Sequence, residues 1–212
     1  MRQMRNRTMK SADLATLRAL HGRKRWEHIL AYYKLPIIGI LIVLYIFGYA
    51  AYRHFTKKEA VLYVSLANIS AGSDLTGQLT DGFAQYAHLT KKQRVNLLTG
   101  LIINETANVD EQYIYASELK LLAAVSAQQL DVILMDTAAR DQLQDEEYFL
   151  DLRTLDADFV SLDELSADGL TLDISDTPLI AQAGFEGSVY LGVIANAPHP
   201  ERAAAYIRYL LK

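Results

Sequence analysis

The 212-residue chain contains no cysteine. Disulfides, cysteine-bearing zinc sites, thiol nucleophiles and a lipid anchor on cysteine are therefore excluded. That composition fits a bacterial extracytoplasmic protein and equally many cytosolic ones. Proline is scarce, with four residues, which argues against long disordered tracts. Histidine is scarce beyond residue 58, where only His88 and His199 occur. His199 lies between two prolines at a predicted helix start, a setting for capping or exposure rather than catalysis. There is no Gly-x-Ser-x-Gly motif to support Ser/His/Asp chemistry. Ala71-Gly-Ser-Asp74 lacks the lysine and the spacing of a phosphate-cradling loop. Glu164-Leu-Ser-Ala-Asp-Gly169 resembles the start of a calcium loop, but its twelfth position is Ser175, not a bidentate glutamate. Asp151, Asp156, Asp158, Asp163, Asp168, Asp173 and Asp176 are spaced as turn formers on a solvated face rather than as a metal site. The expectation is a protein that is not an enzyme and carries no cofactor or metal.

Charge is present in quantity but unevenly placed. Residues 1–34 hold nine Lys/Arg against Asp13 and Glu27, for a charge of +7. Arg53, Lys57 and Lys58 add three positive charges, and residues 59–212 carry −14, giving the net −4 of the whole chain. A basic arm joined to an acidic domain across an apolar run implies two environments.

That run, residues 35–52, is 18 residues without a charge, between Lys34 and Arg53. As a helix it would measure about 27 Å, close to the hydrocarbon thickness of a bilayer. Pro36 falls in the first turn, where a missing N–H is tolerated. Trp26, Tyr32 and Tyr33 on one side, with Tyr49 and Tyr52 on the other, suit interfacial belts. The run therefore predicts a transmembrane helix, with a buried core helix as the competing reading. Nine basic residues before the span and three after it predict a cytoplasmic N-terminus. Gly48-Tyr49-Ala50 loosely matches a signal cleavage site, but 34 residues ahead of the apolar run favour an uncleaved anchor. In the arm, Leu14, Leu17, Trp26, Ile29, Leu30 and Tyr33 share one helical face amid Arg18, Arg23, Lys24 and Arg25. This suits either an interfacial helix on anionic lipid or a charge cluster that only enforces topology, and nucleic acid is not expected as a partner.

The expected organisation is thus a basic cytoplasmic arm (1–34), a transmembrane helix (35–52), a linker (53–58) and an extracytoplasmic domain (59–212). In the domain, strand signals at 61–69, 95–103, 132–135 and 187–194 alternate with helix signals at 75–87, 110–130, 137–149 and from Pro200 onward. The 110–130 helix shows an apolar face through Leu119, Leu122, Ala123 and Leu130. Residues 150–180 read as loops and short turns. This alternation predicts an α/β fold, with helices flanking a mostly parallel sheet.

Two stretches resemble the type 2 periplasmic solute-binding proteins, the receptors of ABC importers. Residues 119–136, LKLLAAVSAQQLDVILMD, are similar to that family's helix, small-residue turn and Asp-Val-Ile strand. Residues 189–211, VYLGVIANAPHPERAAAYIRYLL, are similar to its strand, Asn-x-x-x-Pro-Glu turn and final helix. The resemblance spreads over most of 59–212. It implies a membrane-bound domain equivalent to one lobe, because only about 50 residues separate Asp131 from Val189, too few for a second lobe. A single lobe offers an open surface rather than a closing clamp. None of the family's ligand residues carries over. The sequons Asn68-Ile-Ser70 and Asn104-Glu-Thr106 are read as chance in a bacterial protein.

In open α/β sheets, ligands gather beyond the carboxyl ends of the strands. That rule selects Asn68, Ser70, Ser73, Asp74, Asn104, Glu105, Asp136, Thr137 and Asn196 as a ligand or partner surface. Ordinary loop polarity accounts for the same residues. The expected function is a membrane-tethered, non-enzymatic binding or adaptor module, with an importer receptor as the alternative. Its expected partners are the bilayer, a membrane protein such as an ABC permease, and a weakly held small molecule.

Overall fold

The computed structural model describes residues 38–53, 58–103 and 110–212. The chain divides after Lys57 into two units. In the first, residues 38–53 form one helix, α1, exposed along its whole length. Its apolar side chains face outward on all sides, including Ile40, Leu44 and Phe47. Tyr45 stacks on Tyr49 with ring centroids 6.4 Å apart. Among the described residues, no helix is long and apolar enough to cross a membrane. The basic arm, residues 35–37 of the predicted span and residues 54–57 of the linker lie outside the described residues.

The second unit is a five-stranded sheet between two helical layers. Its strands are β1 (Glu59–Ala67), β2 (Gln93–Leu101), β3 (Val132–Met135), β4 (Thr171–Asp173) and β5 (Tyr190–Val193), in the order β2-β1-β3-β5-β4. β1 pairs in parallel with β2 and β3, whereas β5 pairs antiparallel with both β3 and β4. The sheet is therefore mixed, not mostly parallel in its pairings. Four strands share one direction and β5 alone opposes them. Periodicity misses this because a buried strand reads as the same apolar run in either direction.

Alternation along β1 sorts the core into two halves. Leu62, Val64 and Leu66 face one helical layer, while Ala67 faces the other. The first layer begins with a helical stretch made of α2 (Ser73–Gly77), a π-helical turn (Gln78–Gly82) and α3 (Phe83–Tyr86). It places Leu75, Leu79 and Phe83 on the sheet. The final helix of the chain, Pro200–Leu210, packs beside it through Ala203, Tyr206, Ile207 and Leu210. Its Tyr206 and Tyr209 hydroxyls donate to the carbonyls of Leu79 (3.1 Å) and Gln78 (2.9 Å) within the π turn. The Phe83 and Tyr206 rings meet edge to face at 4.9 Å, an arrangement aromatic quadrupoles favour.

The second layer holds α4 (Glu111–Ser126) and α5 (Thr137–Asp145), each capped by an aspartate. Asp110 accepts from the Gln112 N–H and Asp136 from the Ala139 N–H, at 2.9 Å in both cases. The α4 face nearest the sheet is not the one predicted. Ser117 and Leu121 are buried, whereas Leu119 and Leu122 are about half exposed and Ala123 is exposed. Leu130 is buried beyond the helix end. Because α4 is apolar on several sides, composition alone leaves its rotation undetermined.

Residues 150–180 contain more structure than expected. Two 3-10 turns (Leu152–Thr154 and Ala157–Ser161), strand β4 and helix α6 (Pro178–Ala183) fall there. Asp151, Asp156, Asp168 and Asp173 each accept the backbone N–H two residues on. These are Asx turns, which account for aspartate at those positions. The Pro200–Leu210 helix is α7 in this numbering.

Candidate functional site

The codirectional strands β1, β2 and β3 end at one edge of the sheet, and Asn68 ties their ends together. Its backbone N–H donates to the Leu101 carbonyl at 2.9 Å. The side-chain Oδ1 accepts from the Ile103 N–H (2.7 Å), and Nδ2 donates to the Ile103 carbonyl (2.6 Å) and to Asp136 Oδ1 (3.0 Å). The same Asp136 oxygen caps α5. One side chain thus links β1, the end of β2 and the β3–α5 junction. Asn68 holds this place at φ +57°, in the left-handed region that asparagine tolerates better than most residues.

Beyond this junction lies a half-open cleft of about 560 Å³, within the usual range for small-molecule pockets. Its walls are Asn68–Ala71 and Thr76 on one side and Thr99–Ile102 on the other. Gly100, at φ +73°, carries the β2 wall through a left-handed bend that a Cβ would strain. The Tyr113 hydroxyl steadies that bend by donating to the Gly100 carbonyl at 2.8 Å. Among the described residues, the lining holds hydroxyls, an amide and apolar surface and no ionisable side chain. It can hydrogen-bond and desolvate a ligand.

The nine residues selected from sequence separate in space. Asn68 and Asp136 are joined by a hydrogen bond, and Ser70 lies on the cleft wall. Ser73 and Asp74 are exposed on α2 and border a flatter depression, with Gly77, Gln78 and Asp81. Thr137 is exposed at the first turn of α5. Asn104 and Glu105 lie outside the described residues. Asn196 is the misplaced one. It follows β5, which runs against its neighbours, so it emerges at the opposite edge of the sheet. There its Nδ2 donates to the Val125 carbonyl near the end of α4, at 3.0 Å. Asn68 itself spends both amide protons and its carbonyl oxygen on the protein, so its part is to shape the cleft.

Sequence reasoning passed over two features. Thr76, Thr99 and Gly100 complete the cleft, and only the glycine left a trace, as a turn former inside an apolar run. The other is a buried brace at the far edge. Asp131 is fully buried and accepts from the backbone N–H groups of Tyr63 (2.8 Å) and His199 (2.7 Å). The His199 Nδ1 lies 3.1 Å from Asp131 Oδ2, and its ring stacks on Tyr63. His199 occupies the N-cap position of α7 without capping it through its side chain. No family model, curated protein or solved structure matches the chain.

Proposed function

We propose that this protein is a membrane-tethered binding module, whose second unit acts outside the cytoplasm without performing chemistry. The observation that carries this reading is the half-open cleft at the carboxyl edge of β1 and β2, whose described lining is apolar surface, hydroxyls and an amide. A lining of that kind suits recognition of a small ligand. The equivalence to one lobe of a type 2 solute-binding protein rests on the residue patterns at 119–136 and 189–211. An α/β unit with four codirectional strands is compatible with it. The tether rests on α1, whose apolar side chains are exposed on every side. An apolar helix of that kind suits lipid better than water. The positive charge ahead of it gives the orientation.

A second reading, the substrate receptor of an ABC importer, is favoured by the size of the cleft. One experiment separates the two. The full chain in lipid nanodiscs is heated with sugars, amino acids and short peptides, and unfolding of the second unit is followed. An adaptor shows no solute-dependent shift and is captured with a membrane partner. A receptor is stabilised by about 2.7 kcal/mol when solute stands at one hundred times its Kd. If neither shift nor partner is found, the binding reading fails.

A further inference from the structure

Turned away from the sheet, α4 presents Tyr115, Leu119 and Leu122, spaced i, i+4 and i+7 on one stripe. They are 63%, 47% and 50% exposed. A side chain that serves only to pack would be turned inward, as Leu121 is at 3%. Beside the stripe, between α4 and α5, lies a cavity of about 220 Å³ floored by Leu121, Leu143 and Ile103. That exceeds the roughly 150 Å³ of a cavity able to hold benzene, so one aliphatic or aromatic side chain fits. Among the described residues, two carboxylates border it, Glu118 on α4 and Glu146 just beyond α5, and no basic residue lines it. Gln142 lies between them, its Nε2 donating to Glu146 (3.0 Å) and reaching Glu118 (3.4 Å). The negative field is felt locally: burial first, then Glu146 and Glu118, push the Tyr148 hydroxyl pKa up.

We infer that the α4–α5 groove docks a cationic amphipathic segment of another protein, with an apolar anchor in the cavity and Lys or Arg against Glu118 and Glu146. The charges decide among occupants. Anionic lipid would be repelled by the paired carboxylates. A second copy would set the same carboxylates against each other in a two-fold contact, within a unit already carrying −14 from residue 59 onward. An apolar stripe with an acidic rim is complementary to a basic amphipathic helix. This groove is distinct from the cleft, and the inference stands whether or not the cleft holds a ligand.

The test uses the full chain in nanodiscs of zwitterionic lipid, with empty discs as the blank. The probes are fluorescent 15-residue amphipathic Leu/Lys helical peptides, their Leu/Glu counterparts, and scrambled Leu/Lys peptides that lack an apolar face. Saturable binding of the amphipathic Leu/Lys peptides alone is expected. It should weaken at least tenfold in a Leu119→Ala/Leu122→Ala variant and at least tenfold in Glu118→Lys/Glu146→Lys. Both variants alter exposed or half-exposed positions, and circular dichroism of each should match the parent. Equal binding of the Leu/Glu or scrambled peptides, no effect of either variant, or no binding above empty discs would each overturn the inference. So would self-association abolished by Leu119→Ala/Leu122→Ala, which would assign the groove to a second copy. Binding seen only after removal of residues 1–34 would assign it to the chain's own arm, with the same result.

Discussion

Replacing Asp131 should damage the second unit more than replacing any residue of the cleft. Its carboxylate is fully buried and receives two backbone N–H groups, from Tyr63 and His199, together with the His199 ring. Asp131→Ala strands both backbone donors away from water, at about 1–3 kcal/mol each. Removing the carboxylate also removes its own desolvation cost, which offsets part of that loss. The expected net destabilisation is about 3 kcal/mol, or a fall in Tm of about 6–12 °C for a unit of this size. Asp131→Asn keeps one acceptor oxygen and turns an NH2 group toward the other donor, so it should fall between alanine and the parent. His199→Ala leaves both backbone bonds in place and loses only the ring contact and its stack on Tyr63, worth about 1 kcal/mol. Urea unfolding of residues 58–212, followed by circular dichroism, ranks the three variants. An equal cost of His199→Ala and Asp131→Ala would refute this ranking. The ring pair, rather than the backbone donors, would then be the source of stability.

Gly192→Ala in β5 would set a Cβ 2.5 Å from the Phe149 ring and 3.2 Å from the Met135 methyl. Overpacking of that kind costs about 1–3 kcal/mol, and the same urea titration measures it. Ser65 is fully buried in β1 with its hydroxyl unpartnered; Ser65→Ala should be neutral or stabilising by up to about 1 kcal/mol, and a loss of stability would reveal a missing partner. Burial alone would raise the Asp168 pKa. Hydrogen bonds from the Ser166 hydroxyl and the Leu170 N–H, with Arg153 nearby, outweigh it and hold the carboxyl below its ordinary range. Asp168 therefore stabilises the fold above the ordinary carboxylate range and loses that contribution as pH falls through its depressed pKa. The stability gap between parent and Asp168→Asn should be present at neutral pH and close in acid, as unfolding at a series of pH values would record. Burial, first, and then the neighbouring Tyr209 push the Tyr206 pKa well up. Its stabilising contribution is complete below the ordinary tyrosine range and is lost as pH rises through the raised value, a loss that Tyr206→Phe should abolish.

Much of the fold was legible because its strongest local signals agree with the final packing. Val132–Met135 agrees with the sequence reading residue for residue, because a short apolar run bounded by Asp131 and Asp136 suits a fully buried strand. Pro200 marked the start of α7, and the i, i+3, i+4 pattern behind it gave the buried face. What stayed hidden depends on direction or rotation. The reversal of β5 changes no periodicity, yet it carries Asn196 to the wrong edge for the site. The rotation of α4 leaves the predicted Leu119 and Leu122 half exposed and buries Leu121 instead, because several faces of that helix are apolar enough to be buried. At the cleft, polarity marked Asn68, Ser70 and Asp136 as candidates. Their roles came from geometry, since Asn68 turned out to be a clasp rather than a contact.

The direction of β1 also fixes how far from its point of entry this unit does its work. The polypeptide enters β1 at Glu59, Asp131 braces the strand midway at Tyr63, and Asn68 stands just past its other end. Nine strand residues advance about 30 Å. The cleft mouth is therefore held that far from the incoming chain by a rigid, hydrogen-bonded rod instead of a flexible leash. The distance from residue 58 to the mouth is set by strand length. Lengthening the linker would add play at the base and leave this offset unchanged.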